Sequence, residues 1–178
     1  MWTANKGLNR WIEEMVALCR PKGVRVCDGS EEEYGEVARG MVSQGKMVAL
    51  RREGSFWCRS DPEDVARVEE CTFICSKRRE DAGPTNNWVE PGEMRGRLKG
   101  LFAGCMEGRT MYVVPYCMGP LGSAFSIVGV EVTDSPYVVL NMRWMTRMGK
   151  VALEELGEGE FSAGVHSVGG TAGRILLC

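Results

Sequence analysis

Apolar residues near the N-terminus of the chain repeat at the spacing of an α-helix. Between Leu8 and Cys19 they fall on one stripe, with charged residues on the opposite face. Pro21 cannot continue a helix. The stripe consists of Leu8, Trp11, Ile12, Met15 and Cys19. This pattern predicts an amphipathic helix over 8–19, followed by a short strand over 24–27.

The clearest helix start in the chain is at Ser30. Serine is a preferred N-cap, and Glu33, three residues later, predicts the reciprocal hydrogen bonds of a capping box. An apolar stripe follows as far as Val42, and Gly45 suits a C-terminal cap. The glutamates at 31–33 fit the positive end of the helix dipole better than they fit a metal site.

Runs of β-branched and aromatic residues predict the strands. The two strongest cover 111–116 and 126–132 and are apolar enough to need cover on both faces. The glycine–proline turn between them, 118–123, lacks the Gly-Lys-Ser/Thr ending of a phosphate loop. Weaker strands are predicted over 47–50, 56–59 and 71–75.

Three further segments complete the predicted order of elements. A short helix is expected over 61–67, and a helix through Leu98 and Phe102 follows the polar stretch 77–92. That stretch reads as a long loop, which is either functional or a surface excursion. Pro136 suits the first turn of a last helix, running to about Met148. The fold class predicted from this order is α/β, with a mixed sheet flanked by helices.

Composition narrows the class of protein. With 44% hydrophobic and 26% charged residues, the 178-residue chain is typical of a globular protein. A formal net charge of -2 argues against nonspecific binding to nucleic acid or to acidic membranes. No apolar run approaches the roughly 20 residues that span a bilayer. The first residues also lack the apolar core of a signal peptide, so a cytoplasmic location is expected.

The eight cysteines favour buried, reduced thiols over a metal site or a disulfide framework. Cys71 and Cys75 are the two that lie close together, and on a strand they would share a face. No second Cys/His pair follows to complete a tetrahedral site, and His166 is the only histidine. A Ser-His-Asp site or a two-histidine metal site is therefore not expected within this chain.

Arginines supply the remaining candidate chemistry. Arg67, close to Glu69 and Glu70, has the planar fork that binds a small carboxylate through two hydrogen bonds. The alternative for Arg67 is an ordinary surface salt bridge. Arg143 and Arg147 lie one turn apart on the last predicted helix, where a solvated helix face is favoured over a binding site.

Several longer segments, in order, resemble the GTP-dependent phosphoenolpyruvate carboxykinases, and the resemblance extends to His166-Ser167-Val168-Gly169. Its main blocks are Cys27-Asp28-Gly29-Ser30-Glu31-Glu32-Glu33-Tyr34, Asp61-Pro62-Glu63-Asp64-Val65-Ala66-Arg67-Val68-Glu69, Gly108-Arg109-Thr110-Met111-Tyr112-Val113, Met118-Gly119-Pro120-Leu121-Gly122-Ser123, Thr133-Asp134-Ser135-Pro136-Tyr137-Val138-Val139 and Met145-Thr146-Arg147-Met148-Gly149. The resemblance implies the fold of that family's N-terminal, substrate-binding domain.

The resemblance also implies a reaction and its participants. Family members convert oxaloacetate and GTP reversibly to phosphoenolpyruvate, GDP and carbon dioxide, using Mn²⁺ or Mg²⁺, and are expected to be monomeric. The arginine matching Arg67 anchors a substrate carboxylate, and the glutamate matching Glu69 is tied to substrate placement and lid closure. The family's phosphate loop, metal ligands and nucleotide pocket match no segment of this chain, so catalytic, cofactor and metal residues are expected elsewhere.

Two departures accompany the resemblance. The family commonly has Ser-Lys where this chain has Glu70-Cys71, which places a negative charge beside the expected carboxylate clamp. The similarity is lost after Gly169, so residues 1–169 are predicted to be an incomplete carboxykinase domain and 170–178 a divergent tail. A truncated gene, a shifted reading frame or a split gene would each produce such a tail. The alternative function is a noncatalytic fragment, a carboxylate-binding module or an interaction module derived from the enzyme.

Overall fold

The computed structural model describes residues 2–59, 69 and 72–169, and the backbone of 176–177. The chain divides into two compact units, Met1–Arg59 with Gly104–Cys178, and Ser60–Ala103. The helices are α1 (Lys6–Cys19), α2 (Glu31–Ser43), α3 (Pro91–Phe102), α4 (Pro136–Met145) and α5 (Lys150–Leu156). The strands are β1 (Gly23–Val26), β2 (Val48–Ala49), β3 (Phe56–Trp57), β4 (Phe73–Ile74), β5 (Asn87–Trp88), β6 (Thr110–Met118), β7 (Ile127–Thr133), β8 (Arg147–Met148), β9 (Ser162–Ser167) and β10 (Leu176–Leu177).

The larger unit is built on a mixed sheet in the strand order β1-β6-β7-β9-β10, with β8 also paired to β6. β1 runs parallel to β6 and β7 parallel to β9. β6 pairs antiparallel with both β7 and β8, as does β9 with β10. Helices α4 and α5 contact the central strands β6 and β7. The predicted fold class, a mixed sheet flanked by helices, is confirmed.

The two strongest predicted strands, now β6 and β7, are covered over most of their length within this unit. Met111, Val113, Val114, Val130 and Val132 are fully buried. Exposed apolar side chains appear at the hairpin end, where β6 and β7 are joined. Apolar side chains of these two strands are therefore exposed at the hairpin end and buried over the rest of the strands.

Helix α1 begins two residues before the predicted start because Asn5 supplies its N-cap. The Asn5 side chain accepts a hydrogen bond from the Leu8 backbone N–H at 2.8 Å. Its amide group also donates to the carbonyls of Gly157 and Gly159 at 2.9 and 3.0 Å. The helix ends at Cys19, and its C-cap, Arg20, adopts a left-handed backbone conformation with φ of 51° before Pro21.

The capping box predicted for α2 is only half formed. Ser30 accepts from the Glu33 N–H at 3.1 Å, as expected. The Glu33 carboxylate, however, accepts from the N–H groups of Asp28 and Gly29 at 3.0 and 2.9 Å, while the Ser30 N–H donates to Asp28. The Glu33 carboxylate therefore binds the backbone of the loop before the helix and does not accept from the Ser30 N–H, as a complete capping box would require.

The prediction that the last helix reaches Met148 is wrong. α4 ends at Met145, and Arg147–Met148 forms β8 against Tyr116 and Cys117. Gly149 then crosses the backbone of Asp28 so closely that a Cβ atom there would lie 2.0 Å from the Asp28 carbonyl oxygen. Because Gly149 has a φ of +88°, the chain turns sharply here and starts α5.

The smaller unit, Ser60–Ala103, contains a short parallel pair, β4 with β5, and helix α3. The polar stretch 77–92 is more ordered than its composition predicts. It contains a 3₁₀ turn at Arg79–Ala82 and strand β5, and α3 begins within it at Pro91, with Glu90 as N-cap. Throughout the described ranges, every helix is too short or too polar to cross a membrane.

Four cysteines are buried free thiols, as predicted: Cys19, Cys27, Cys105 and Cys117. Burial and the neighbouring Cys105 raise the pKa of Cys19 to about 12. Cys75 differs from the prediction, since β4 stops at Ile74 and the Cys75 side chain is exposed. Cys71, its predicted partner on the same face, lies outside the described residues.

Candidate functional site

Of the two residues predicted to bind or place the substrate, Arg67 and Glu69, the structure describes Glu69. Arg67 lies outside the described residues, as do the predicted helix over 61–67 and Glu70-Cys71. Glu69 is described, and its side chain is exposed. The structure therefore provides the setting of Glu69, while the role of Arg67 stays a prediction from the resemblance.

The backbone of Glu69 is held by a residue far along the chain. Its carbonyl accepts hydrogen bonds from the Asn87 side-chain amide at 2.6 Å and from the Thr72 N–H at 3.1 Å. The same Asn87 nitrogen donates to the Thr72 carbonyl at 3.1 Å. Asn87 thus fixes the position of the main chain at Glu69, a residue that is exposed.

Strand pairing explains why Asn87 reaches this place. β4 and β5 align Phe73 with Asn87 and Ile74 with Trp88. The Trp88 indole N–H donates to the Ser76 carbonyl at 3.0 Å, which closes the far end of the pair. The arrangement is a short two-stranded support with an exposed carboxylate at its start. Asn87 was not singled out from the sequence, because it lies in a segment whose composition indicates only loop.

A second cluster of polar residues is buried in the larger unit, where the parallel strands β7 and β9 end. Asp134 has a fully buried carboxylate that accepts from Arg109 Nε at 2.7 Å, from the Ser167 hydroxyl at 2.9 Å and from the Val168 N–H at 2.9 Å. The Arg109 guanidinium also donates to the Gly169 carbonyl at 2.6 Å and to the Cys105 carbonyl. Both carboxylate oxygens of Asp134 are therefore engaged.

His166 belongs to the same region but does not join a catalytic triad. Its Nδ1 lies 2.8 Å from the Thr133 hydroxyl, which also accepts from the Ser135 N–H at 3.1 Å. Burial lowers the pKa of His166, which favours the neutral imidazole. Ser167 donates to the Asp134 carboxylate rather than to a histidine, so these residues do not have the Ser-His-Asp arrangement.

This buried cluster is best understood as a structural brace. It connects three of the segments that carry the family resemblance, around Arg109, around Asp134 and over 166–169. Because the Val168 N–H and the Gly169 carbonyl are both bound, the direction in which the chain leaves β9 is fixed. The sequence contained these residues within the matching blocks but gave no sign that they meet.

Glutamates in the first two turns of α2 form ion pairs with two arginines. The Arg25 guanidinium binds Glu33 at 3.2 Å and Glu36 at 2.9 Å, and Arg143 binds Glu31 at 2.6 Å. Arg143 and Arg147 do not share a helix face, since Arg147 lies in β8. Among the residues that the structure describes, no group of three His, Cys, Asp or Glu side chains is placed to hold a metal ion.

Comparison with known proteins identifies relatives along nearly the whole chain. The family model described as "Phosphoenolpyruvate carboxykinase N-terminal domain" matches residues 10–175. The chain is 57% identical over 169 residues to "Phosphoenolpyruvate carboxykinase [GTP]" of Chlamydia muridarum and 55% identical over 171 residues to that of Corynebacterium jeikeium. These alignments cover 93% and 94% of the chain but 28% of each relative. The chain thus spans under a third of the length of the curated relatives that it matches.

Proposed function

Because the chain belongs to the family of phosphoenolpyruvate carboxykinase N-terminal domains, we propose that it forms the substrate-carboxylate-binding part of a GTP-dependent phosphoenolpyruvate carboxykinase. The whole enzyme would convert oxaloacetate and GTP reversibly to phosphoenolpyruvate, GDP and carbon dioxide. The observation that carries the proposal is the match of residues 10–175 to the family model, together with 57% identity over 169 residues to a relative with that name.

Arg67 is the residue that we assign to the substrate. In the forward reaction the carbon–carbon bond to the leaving carboxylate breaks, carbon dioxide departs, and the electron pair forms an enolate. The enolate oxygen then attacks the γ-phosphoryl group of GTP, and GDP leaves. A guanidinium that binds a carboxylate at two points removes rotational freedom, so the reactants meet at a lower entropic cost.

Glu69 is assigned to substrate placement. Its backbone is held by the Asn87 amide at 2.6 Å, so the exposed carboxylate projects from a supported position. One residue, Val68, separates Arg67 from Glu69 in the sequence, so the two proposed roles fall on neighbouring positions of the chain. Asn87 is accordingly a positioning residue in this proposal.

The other reactants are assigned to the rest of the enzyme. The sequence holds one histidine and no Gly-Lys-Ser/Thr phosphate loop, and the described residues form no metal-ligand cluster. The Mn²⁺ or Mg²⁺ ion and GTP are therefore expected to bind to parts that the longer relatives carry and this chain does not. We place the enzyme in the cytoplasm as a monomer.

The test is a grafted enzyme, defined as the Chlamydia muridarum carboxykinase in which the segment matching this chain is replaced by residues 1–169 of this chain. Arg67→Ala in the grafted enzyme should lower kcat/KM for oxaloacetate by about 30- to 1,000-fold, the equivalent of losing a charged clamp worth roughly 2–4 kcal/mol. Arg67→Lys should recover only part of the loss, because an ammonium lacks the planar fork. The KM for GTP should stay nearly unchanged.

Arg147→Ala is the matched control, since this arginine is exposed on β8 and is assigned no substrate. A loss confined to Arg67 and to oxaloacetate supports the clamp. Equal losses for oxaloacetate and GTP would indicate a folding defect and contradict the assignment. Arg67→Ala without any effect on kcat/KM would contradict the assignment of Arg67 to the substrate carboxylate.

A further inference from the structure

One corner of the main sheet is open to solvent on the face whose other end is covered by α4. Cross-strand partners share a face, so the register of β6, β7 and β9 identifies the residues on it. The open face, as we call it, consists of Met118, Ile127, Tyr116, Gly129, Glu131, Gly164 and Ser162.

Exposure along this face changes sharply. Val114, on β6, is fully buried against Val139 of α4. Two pairs further along the hairpin, Met118 is 50% exposed and Ile127, its direct partner, is 62% exposed. The adjoining turn adds Phe125 at 79%. The apolar surface therefore lies beyond the reach of α4, at the hairpin end.

Glu131 lies between the covered and the open parts of this face. Its carboxylate rests over Gly164 of the neighbouring strand, where an added Cβ would lie 2.0 Å from Oε2. The Tyr116 ring likewise lies over Gly129, where an added Cβ would be 2.4 Å from the ring. Among the described residues, no hydrogen bond or ion pair reaches the Glu131 carboxylate. Burial raises the pKa of Glu131 to about 7.

A half-buried carboxylate without a partner, bordered by exposed apolar side chains, is complementary to a surface that carries a cation among apolar groups. Removing a carboxylate from water is costly unless an opposite charge or donors replace the water. Lysine and arginine both have the required apolar stem and charged end.

We propose that the open face binds the portion of the carboxykinase polypeptide that the relatives carry and this chain lacks, and that a lysine or arginine of that portion pairs with Glu131. The inference rests on the proposed function for the identity of the occupant. The relatives devote more than two thirds of their length to that portion, since this chain covers 28% of them. An occupant of this size can cover the hairpin end and supply the cation in one contact.

A comparison of the same substitution in two settings tests this proposal. In the isolated chain at pH 8, Glu131→Gln should raise the melting temperature by a few degrees, because it removes an unpaired charge from a half-buried position. In the grafted enzyme the same change should lower the melting temperature by a few degrees, because it removes one member of an ion pair. Glu53→Gln, in the exposed turn between β2 and β3, should change neither.

Ile127→Thr tests the apolar part of the contact in the same two settings. The isolated chain should tolerate it, since Ile127 is exposed there, and should bind less of a dye that reports exposed apolar surface. The grafted enzyme should lose several degrees in melting temperature, as for a truncated buried side chain. Leu50→Ser, at a comparably exposed position outside the open face, is the control.

The outcomes separate this inference from the proposed function. A grafted enzyme that is active but indifferent to Glu131→Gln and Ile127→Thr would overturn the inference and leave the function intact. A grafted enzyme that is inactive, yet is destabilised by both Glu131→Gln and Ile127→Thr, would support the open face as a contact surface and contradict the proposed function. Self-association of the isolated chain in sedimentation experiments, abolished by Ile127→Thr, would assign the open face to a second copy and overturn the proposed occupant.

Discussion

Asp134 connects the segments that meet where β7 and β9 end. Its buried carboxylate accepts from a guanidinium, a hydroxyl and a backbone N–H that belong to two other segments. Because all three donors lose their acceptor together, removing this side chain affects the packing of β7, β9 and the segment at Arg109. The same network fixes the path of the chain after Ser167.

Asp134→Ala should therefore lower the free energy of unfolding of the isolated chain by about 2–4 kcal/mol, because the buried donors are left unsatisfied. Chemical denaturation measures the change. Asp81→Ala is the control, since its ion pair with Arg78 is exposed and should have no measurable effect on stability. An equally small effect of Asp134→Ala would contradict the brace.

Glu131 should make the stability of the isolated chain depend on pH in an unusual direction for a carboxylate. Burial raises its pKa from an ordinary value of 4.5 to about 7, so the folded state binds the proton more tightly than the unfolded state. The stabilisation from this proton is complete below about pH 4.5 and is lost as the pH rises through about 7, by on the order of 1–3 kcal/mol.

The pH effect is measured as a difference between the isolated chain and its Glu131→Gln variant, melted at pH 5 and at pH 8. His166 and the other titrating groups are present in both proteins, so their contributions to the pH dependence cancel in the difference. The variant should gain stability relative to the unsubstituted chain on going from pH 5 to pH 8. A difference that does not change with pH would show that Glu131 is well hydrated.

At the scale of elements, the junction between β8 and α5 is decided by one close backbone crossing. Gly149 and Gly29 approach each other with positive φ values of +88° and +76°. The Gly149 N–H donates to the Pro115 carbonyl at 2.8 Å, and the Lys150 N–H donates to the Asp28 carbonyl at 3.0 Å. A side chain at Gly149 has no space in this crossing.

Gly149→Ala should accordingly cost at least about 2 kcal/mol, since the new methyl group meets backbone atoms and the φ value is strained. Gly40→Ala should change the free energy of unfolding in the opposite direction. Gly40 lies within α2 with no atom near the position of an added Cβ, so alanine should stabilise by about 0.5–1 kcal/mol. Equilibrium denaturation of both variants checks the pair, and two changes of the same sign would contradict the local geometry.

The same junction shows where sequence reasoning about elements succeeds and where it stops. α1 and α2 follow from periodicity, because each buries one clear stripe. β6 and β7 follow from their runs of β-branched and aromatic residues, which are buried on both faces over most of their length. The end of α4 does not, since the residues after Met145 are compatible with a helix and become a strand only by pairing with Tyr116 and Cys117. β9 lacks an alternating apolar pattern and depends on its parallel neighbour β7.

At the scale of the whole molecule, the fold class could be predicted, but the candidate site depended on resemblance. Arg67 and Glu69 carry no local pattern that distinguishes a substrate clamp from a surface salt bridge. The support of Glu69 by Asn87 joins positions 18 residues apart, which periodicity cannot reveal. The brace around Asp134 likewise joins Arg109 to 166–169 only after folding.

The two compact units divide the proposed tasks. The smaller unit, Ser60–Ala103, includes the positions of the proposed clamp, Arg67 and Glu69. The larger unit carries the sheet, the brace and the open face. A chain with this division and with 28% of the length of its relatives is proposed to need the remaining polypeptide for turnover.

The most direct test of the account is the activity of the grafted enzyme without further substitutions. A coupled assay with oxaloacetate, GTP and manganese should give a kcat/KM within about tenfold of the parent Chlamydia muridarum enzyme, since 57% of the matched residues are identical. The isolated 178-residue chain, assayed in parallel, should give no turnover above background. A grafted enzyme that melts cooperatively but fails to convert oxaloacetate, under conditions where the parent does, would contradict the proposal that this chain is the substrate-binding part of a carboxykinase.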